Sequence, residues 1–144
     1  MRARWLDETP TSAAEVVGLQ TIVDRNLEEA RGPLKYPDTR FWLAYQAVLT
    51  AATIVIRAPG ARVRRERHHE RTFAVLRQLA ISGVSDRAPY YDDCRRKRNV
   101  AEYAEYDVAG CVSDAEATAL LREADRQVGV VRDWVRHERP DRMQ

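Results

Sequence analysis

The sequence predicts an all-α fold: an up-and-down antiparallel four-helix bundle with an additional helix. Three observations carry that prediction. Two capping boxes, Ser12-Ala13-Ala14-Glu15 and Ser113-Asp114-Ala115-Glu116, mark helix starts. Each offers a hydroxyl to a free backbone N–H and a Glu that reaches back to the cap. Downstream of each box, apolar residues recur at three- and four-residue spacing and paint one helix face. The breaks between periodic stretches are short, which favours antiparallel neighbours in one bundle.

The first helix begins after Pro10, with Val16, Leu19, Val23, Leu27 and Ala30 on its apolar face. Gly32 is expected to close it in a left-handed conformation, and Pro33 to stop it. The second helix starts near Asp38 or Thr39 and runs to about Arg57. It is apolar on more than one side, with small residues at Ala44, Ala47, Ala51 and Ala52, as befits a central helix touched by several neighbours. Thr53-Ile54-Val55-Ile56 is rich in β-branched residues but too short to outweigh the helical pattern it continues.

Pro59-Gly60 breaks the chain, and a third helix is expected from about residue 63 to Ser82. Phe73, Leu76, Leu79 and Ala80 form its stripe, and Gly83 ends it. A fourth helix runs from about Pro89 to Tyr106, with Pro89 in the first turn, where no backbone donor is needed. Asp92-Asp93 reads as first-turn compensation of the helix dipole. After Gly110, the last helix carries Ala117, Leu120, Leu121, Ala124, Val128, Val131 and Val135 on its face and ends near His137. No repeat or linker divides the chain, so residues 1–144 read as one domain with its core over about 12–136.

Composition excludes several classes. With 44% hydrophobic and 32% charged residues the chain is globular in type. No apolar run approaches the roughly 18 residues of a membrane span, so no membrane partner is expected. The basic N-terminus lacks the apolar stretch of a signal peptide, and the expected location is the cytoplasm. Cys94 and Cys111 have no metal-ligand spacing and read as buried thiols. A glycine-rich phosphate loop, a nucleophile elbow and a zinc-peptidase helix are all missing. No cofactor and no metal are expected. His68 and His69 are adjacent and point about 100° apart on a helix, a poor geometry for one ion.

The net charge is only +2, yet the basic residues are almost all Arg, with Lys35 and Lys97 the exceptions. A GC-rich coding sequence explains that choice; so does phosphate binding, which suits the forked guanidinium. Position separates the two. Arg62 to Arg71 holds five Arg, including Arg64, Arg65 and Arg67, beside Glu66, Glu70, His68 and His69. It reads either as a solvated helix start or as an anion patch.

The second stretch is Tyr90 to Tyr106. On a helix Tyr91, Cys94, Arg98, Ala101 and Glu105 share one side, and Arg95, Asn99, Glu102, Tyr103 and Tyr106 an adjoining one. Arg98 in an otherwise apolar stripe needs a partner or a ligand. Glu102 satisfies it in the structural reading; in the functional one Arg98, Asn99 and Tyr103 line a cleft for phosphate or ribose. Arg95 and Arg96 add charge, and Tyr103 and Tyr106 add surfaces on which bases stack.

The Arg98-Asn99 pair followed by Tyr103, on the fourth helix of a small bundle, resembles the HEPN domain family (higher eukaryotes and prokaryotes nucleotide-binding). The aromatic, alanine-rich Phe41-Trp42-Leu43-Ala44-Tyr45-Gln46-Ala47 and the Arg-rich start of the third helix are similar to that family too. The resemblance implies a homodimeric bundle that binds RNA or a nucleotide. It implies a metal-independent endoribonuclease of a toxin–antitoxin or defence system, paired with a nucleotidyltransferase antitoxin. The implied catalytic residues are Arg98, Asn99 and Tyr103; the implied RNA-binding residues are Arg64, Arg65, Arg67, His68, Arg95, Arg96 and Tyr106. One departure stands out. The family pattern places a His four to six residues after the Arg, where this chain has Tyr103, and Tyr titrates near 10 rather than near neutrality.

Two other classes compete. A non-enzymatic dimeric interaction module would use Arg98–Glu102 as a structural pair. A DNA-binding regulator would need a short helix–turn–recognition-helix spacing, which the sequence does not offer.

Overall fold

The computed structural model describes residues 5–103 and 112–142, the side chains of residues 100–103 excepted. The fold is all-α. In chain order it contains strand β1 (Leu6–Glu8), helices α1 (Ala13–Arg31) and α2 (Pro37–Arg57), strand β2 (Ala61–Val63), and helices α3 (His68–Gln78), α4 (Ala88–Tyr103) and α5 (Asp114–Glu138). Short 3-10 turns at Ser85–Arg87 and Pro140–Arg142 lead into α4 and follow α5.

Both predicted helix starts form. Ser113 Oγ accepts from the Glu116 N–H at 3.0 Å while Glu116 Oε1 accepts from the Ser113 N–H at 3.0 Å, a complete capping box. At Ser12 only half the box is made. Its hydroxyl accepts from the Glu15 N–H, but the Glu15 carboxylate accepts instead from Thr11 Oγ1 at 2.8 Å and lies 3.8 Å from Arg57.

Helix α2 is the centre of the bundle. Asp38, Arg40 and Arg57 sit at its ends, and eleven residues between Phe41 and Ile56 are buried. It alone among the described helices is long and apolar enough to cross a membrane, and it lies mostly buried among its neighbours. Arg57 faces Glu15 at one end and Arg40 faces Ala30 at the other, so α1 and α2 run antiparallel. Helix α1 is also antiparallel to α5, tied by the ion pairs Arg31–Asp125 and Arg132–Asp24. Gln127 reaches the Val48 carbonyl and Arg142 the Ala58 carbonyl, which sets α5 parallel to α2. One continuous core joins Val23 and Leu27, Tyr45 and Val48, Phe73 and Leu76, Tyr91, and Leu120 and Val131.

Four local expectations are corrected. Gly32 is extended, at φ −74° and ψ 176°, and not left-handed. The open carbonyls at the end of α1 go instead to Arg40, which donates to Ala30 and Gly32 at 2.8 and 2.9 Å. The third helix starts at His68 rather than near residue 63, because residues 61–63 pair antiparallel with residues 6–8. Ile56, Val63 and Val75 pack beneath this strand pair with Trp5 and Leu6. Arg67 then turns the chain through a left-handed φ of 49°, which no helix interior tolerates. The same helix ends at Gln78, leaving Leu79 and Ala80 exposed, Ala80 at φ 54°; Ile81 and Val84 bring the chain back to the core. Finally, α4 begins at Ala88, so Asp92 and Asp93 lie beyond its first turn.

Candidate functional site

The site grows from one stripe of α4. Tyr91, Cys94 and Arg98 follow at helical spacing; the first two are buried and Arg98 is half-buried. The stripe points into the angle between α2, α3 and α5, so that its two ends meet different partners.

At the Arg98 end the partner is Tyr45 of α2, whose side chain is buried. The Arg98 guanidinium lies over the Tyr45 ring, 5.5 Å from its centroid, in the range of a cation–π contact. The Tyr45 hydroxyl shares a 3.1 Å hydrogen bond with Nδ1 of His69, the second residue of α3. Phe73, one turn on, meets the Tyr45 ring edge-on at 6.1 Å. Burial pushes the Tyr45 hydroxyl above its usual range, against the opposing pull of Arg98 and Arg95. Tyr45 therefore stays a neutral phenol at any ordinary pH. A cation, a phenol and an imidazole from three helices converge on one point.

Next to it, Arg95 donates to Asp92 at 2.7 Å, and Arg96 donates to Asp92 and Asp93 at 2.8 and 3.1 Å. The bond to Asp92 holds the Arg95 guanidinium more firmly charged. Between α3 and α4 runs a groove of about 670 Å³, floored by Phe73, Ala74 and Pro89 and edged by Glu70, Arg77 and Arg96. Its charge is mixed.

At the Tyr91 end the partner is Glu123 of α5. Glu123 is 8% exposed. It accepts from the Tyr91 hydroxyl at 2.7 Å and from Arg126 Nε and Nη2 at 2.9 and 2.6 Å, with Arg87 at 3.4 Å. Burial opposes the charge on this carboxylate, but the bonds from Arg126 and Tyr91 and the nearby Arg87 outweigh it and hold its pKa below the ordinary range. Cys94 lies between the two ends; burial pushes its thiol up to about 12, and it is a packed side chain rather than a nucleophile.

The other predicted residues are spread more widely. Arg64 pairs with Asp7 across the strand pair at 3.0 Å. Arg65 and Arg67 are exposed in the loop before α3. His68 is half-buried, and burial together with Arg57 and Arg62 lowers its pKa, which favours the neutral ring. Asn99 is half-buried beside Arg98. The Tyr103 and Glu102 side chains, all of Tyr106, and Cys111 lie outside the described residues. Among the described residues no three His, Cys, Asp or Glu side chains gather as a metal site.

Three buried residues, two of them in these centres, escape a reading of the sequence. Tyr45 looks like one more aromatic of an apolar helix. Glu123 and Gln127 look like surface positions of α5, yet both are buried. The signal for the latter pair was present: they fall between Leu120, Ala124, Val128 and Val131, inside the arc that faces the core.

No family model, curated protein or solved structure matches the chain.

Proposed function

We propose that the protein is a HEPN-like RNA-binding bundle and that Arg98, Tyr45 and His69 form a metal-independent endoribonuclease centre. The observation that supports this most is the convergence of Arg98 and His69 on Tyr45. The helix bearing Arg98 has no His near it in sequence, and α3 brings one into the same cluster.

The chemistry follows from those three groups. Arg98 neutralises charge that develops on a phosphate. In the tautomer whose Nδ1–H donates to the Tyr45 hydroxyl, His69 carries its lone pair on Nε2 and serves as a base. The RNA 2′ oxygen gives its proton to His69 and forms a bond to phosphorus, the P–O5′ bond breaks, and the 5′ oxygen takes a proton from water, whose hydroxide takes up the proton held by His69. The products are a 2′,3′-cyclic phosphate and a 5′-hydroxyl. Arg65 and Arg67, on the loop that leads into His68 and His69, supply a sequence-independent grip on the strand. In this reading the chain is a cytoplasmic homodimer and the toxin or defence partner of a nucleotidyltransferase antitoxin.

The test is RNA binding and cleavage by the wild type, Arg98→Ala and His69→Ala across a salt series. Loss of cleavage in both variants, with binding that weakens as salt rises, is expected. Equal behaviour of all three proteins, or binding indifferent to salt, overturns the proposal. A second reading, a non-enzymatic dimeric interaction module, is favoured by the pairing of Arg95 and Arg96 with Asp92 and Asp93, which neutralises part of the basic cluster. It predicts that Arg98→Ala changes self-association or partner binding and leaves RNA untouched.

A further inference from the structure

Leu79 follows the last residue of α3 with its side chain 39% exposed, and the chain then turns at Ala80 through a left-handed φ of 54°. That conformation is costly for an Ala and free for a Gly, and strain of this kind gathers at sites of function. On α5, Trp134 is half-buried against the core. Leu79 and Trp134 both line a groove of about 570 Å³ floored by the buried Val55 and Ile81. Pro59, Leu79 and Ala80 are exposed along it, so it lies open to a passing chain.

The charge of this groove is one-sided. Asp133 and Glu138 line it, and among the described residues no Arg or Lys does. Elsewhere arginine enters the walls: Arg77 and Arg96 between α3 and α4, Arg31 and Arg132 between α1 and α5, and Arg142 beside the strand pair. Asp133 meets Arg136 at 3.2 Å, but both are well exposed and such a pair contributes little. Glu138 makes no side-chain hydrogen bond or ion pair to another described residue. At 100° per residue Asp133, Val130, Trp134 and Glu138 follow one another round α5, so the carboxylates bracket the apolar pair. From Val130 to Glu138 the helix rises about 12 Å, the length of three or four extended residues.

An apolar face takes an apolar side chain, and carboxylates at its rim take cations beside it. We propose that this groove docks a short segment of a partner protein. A Leu- or Met-sized side chain of that segment sits against Leu79 and Trp134, and a Lys or Arg on each side of it meets Asp133 and Glu138. Val55 lies ten residues, about 15 Å, along α2 from Tyr45. The surface is therefore separate from the Arg98–His69 centre, and the proposal does not rest on the RNA reading.

Fluorescence polarisation with three short fluorescein-labelled peptides tests it: a Leu-Leu pair flanked by Lys, the same pair flanked by Glu, and a Ser-Ser pair flanked by Lys. The Lys-flanked Leu peptide should bind tightest, ahead of the Glu-flanked one by roughly three- to ten-fold, the usual worth of two exposed ion pairs. That margin should shrink as salt rises. Leu79→Ser should weaken the Lys-flanked Leu peptide towards the level of the Ser-Ser peptide. Asp133→Asn combined with Glu138→Gln should erase the margin between Lys and Glu flanks. All three substituted side chains are exposed, and circular dichroism reports whether each variant is folded. Should Leu79→Ser fail to fold, the carboxylate variant still decides. Equal binding of the three peptides, no binding, or a margin that survives loss of both carboxylates overturns the proposal. Self-association by sedimentation that Leu79→Ser abolishes, with no peptide bound, gives the groove to a second copy of the chain and overturns it too.

Discussion

Tyr91, at one end of the α4 stripe, and Tyr45 of α2, which meets Arg98 at the other end, contrast sharply. Both are buried, both have a hydroxyl in a hydrogen bond, and both have an arginine nearby. At Tyr91 the partner is a carboxylate, and Glu123 gathers the phenol, Arg126 and Arg87 around one buried negative charge. At Tyr45 the partner is an imidazole, and the Arg98 guanidinium lies on the ring face. A satisfied carboxylate fixes a structure, because moving any member exposes a buried charge. An imidazole beside a phenol holds a proton that can move. Of the two clusters, only the second takes part in turnover in the proposed function.

The strongest effect should separate the two centres by what each loses. His69→Ala should lower RNA cleavage by roughly 10²–10⁴-fold, the usual contribution of a positioned acid–base group, while changing folding stability by no more than about 1 kcal/mol. Glu123→Ala should do the reverse. It leaves the Tyr91 hydroxyl without its acceptor and two arginines without their counter-charge. Because Arg87 and Arg126 retain partial access to water, the cost is about 2–3 kcal/mol rather than the full penalty of a dry ion pair. Thermal denaturation should show a drop of roughly 6–10 °C for a chain of this length, with cleavage unchanged at temperatures where the variant is folded. A stable Glu123→Ala, or a His69→Ala that unfolds, inverts the assignment.

Acid separates the centres more gently. Since the folded state holds the Glu123 pKa below its ordinary value, the protein binds fewer protons there than the unfolded chain does near pH 4. The stability this contributes is fully present above the unfolded pKa of about 4.3 and is lost as pH falls through the folded value. Urea midpoints taken from neutral pH down to about pH 3 should therefore fall further for the wild type than for Glu123→Gln, which has no proton to gain there. Parallel curves would show that the carboxylate is not stabilised by its partners.

How much of this was legible in the sequence depends on the range of the interactions involved. The starts of α1 and α5 were readable because a cap is made by residues three apart: Ser12 with the Glu15 N–H, Ser113 with Glu116. The core face of α5 was readable because seven apolar residues repeat the period. The strand pair was not. Each strand has three residues, too few to show alternation, and the residue opposite Leu6 is Val63. Without that pairing, the charged run from Arg62 looked like the front of a helix.

The candidate site divides along the same line. Arg98 announced itself as a charge in an apolar stripe, and the absence of a His on α4 was visible. That His69, and not His68, meets Tyr45 follows from where β2 ends and where Arg67 turns the chain. Both are consequences of a long-range pairing that local spacing does not encode.

The finest test of the contrast removes one oxygen from each centre. Tyr91→Phe leaves a carboxylate that is still charged, still buried, and short of one of its donors, so the loss includes that group's incomplete satisfaction, about 1–2 kcal/mol. Tyr45→Phe leaves an imidazole that is only half-buried, and it preserves the ring face under Arg98; about 0.5–1 kcal/mol is expected. The two hydroxyls also differ in their bearing on turnover. Tyr91→Phe should leave cleavage intact. Tyr45→Phe keeps both Arg98 and His69 but frees the imidazole from the bond that sets its tautomer, and turnover should fall while RNA binding holds. A double-mutant cycle of Tyr45→Phe with His69→Ala measures that coupling: if the two losses in turnover simply add, the hydroxyl does not act through His69, and Tyr45 is only the floor on which Arg98 rests.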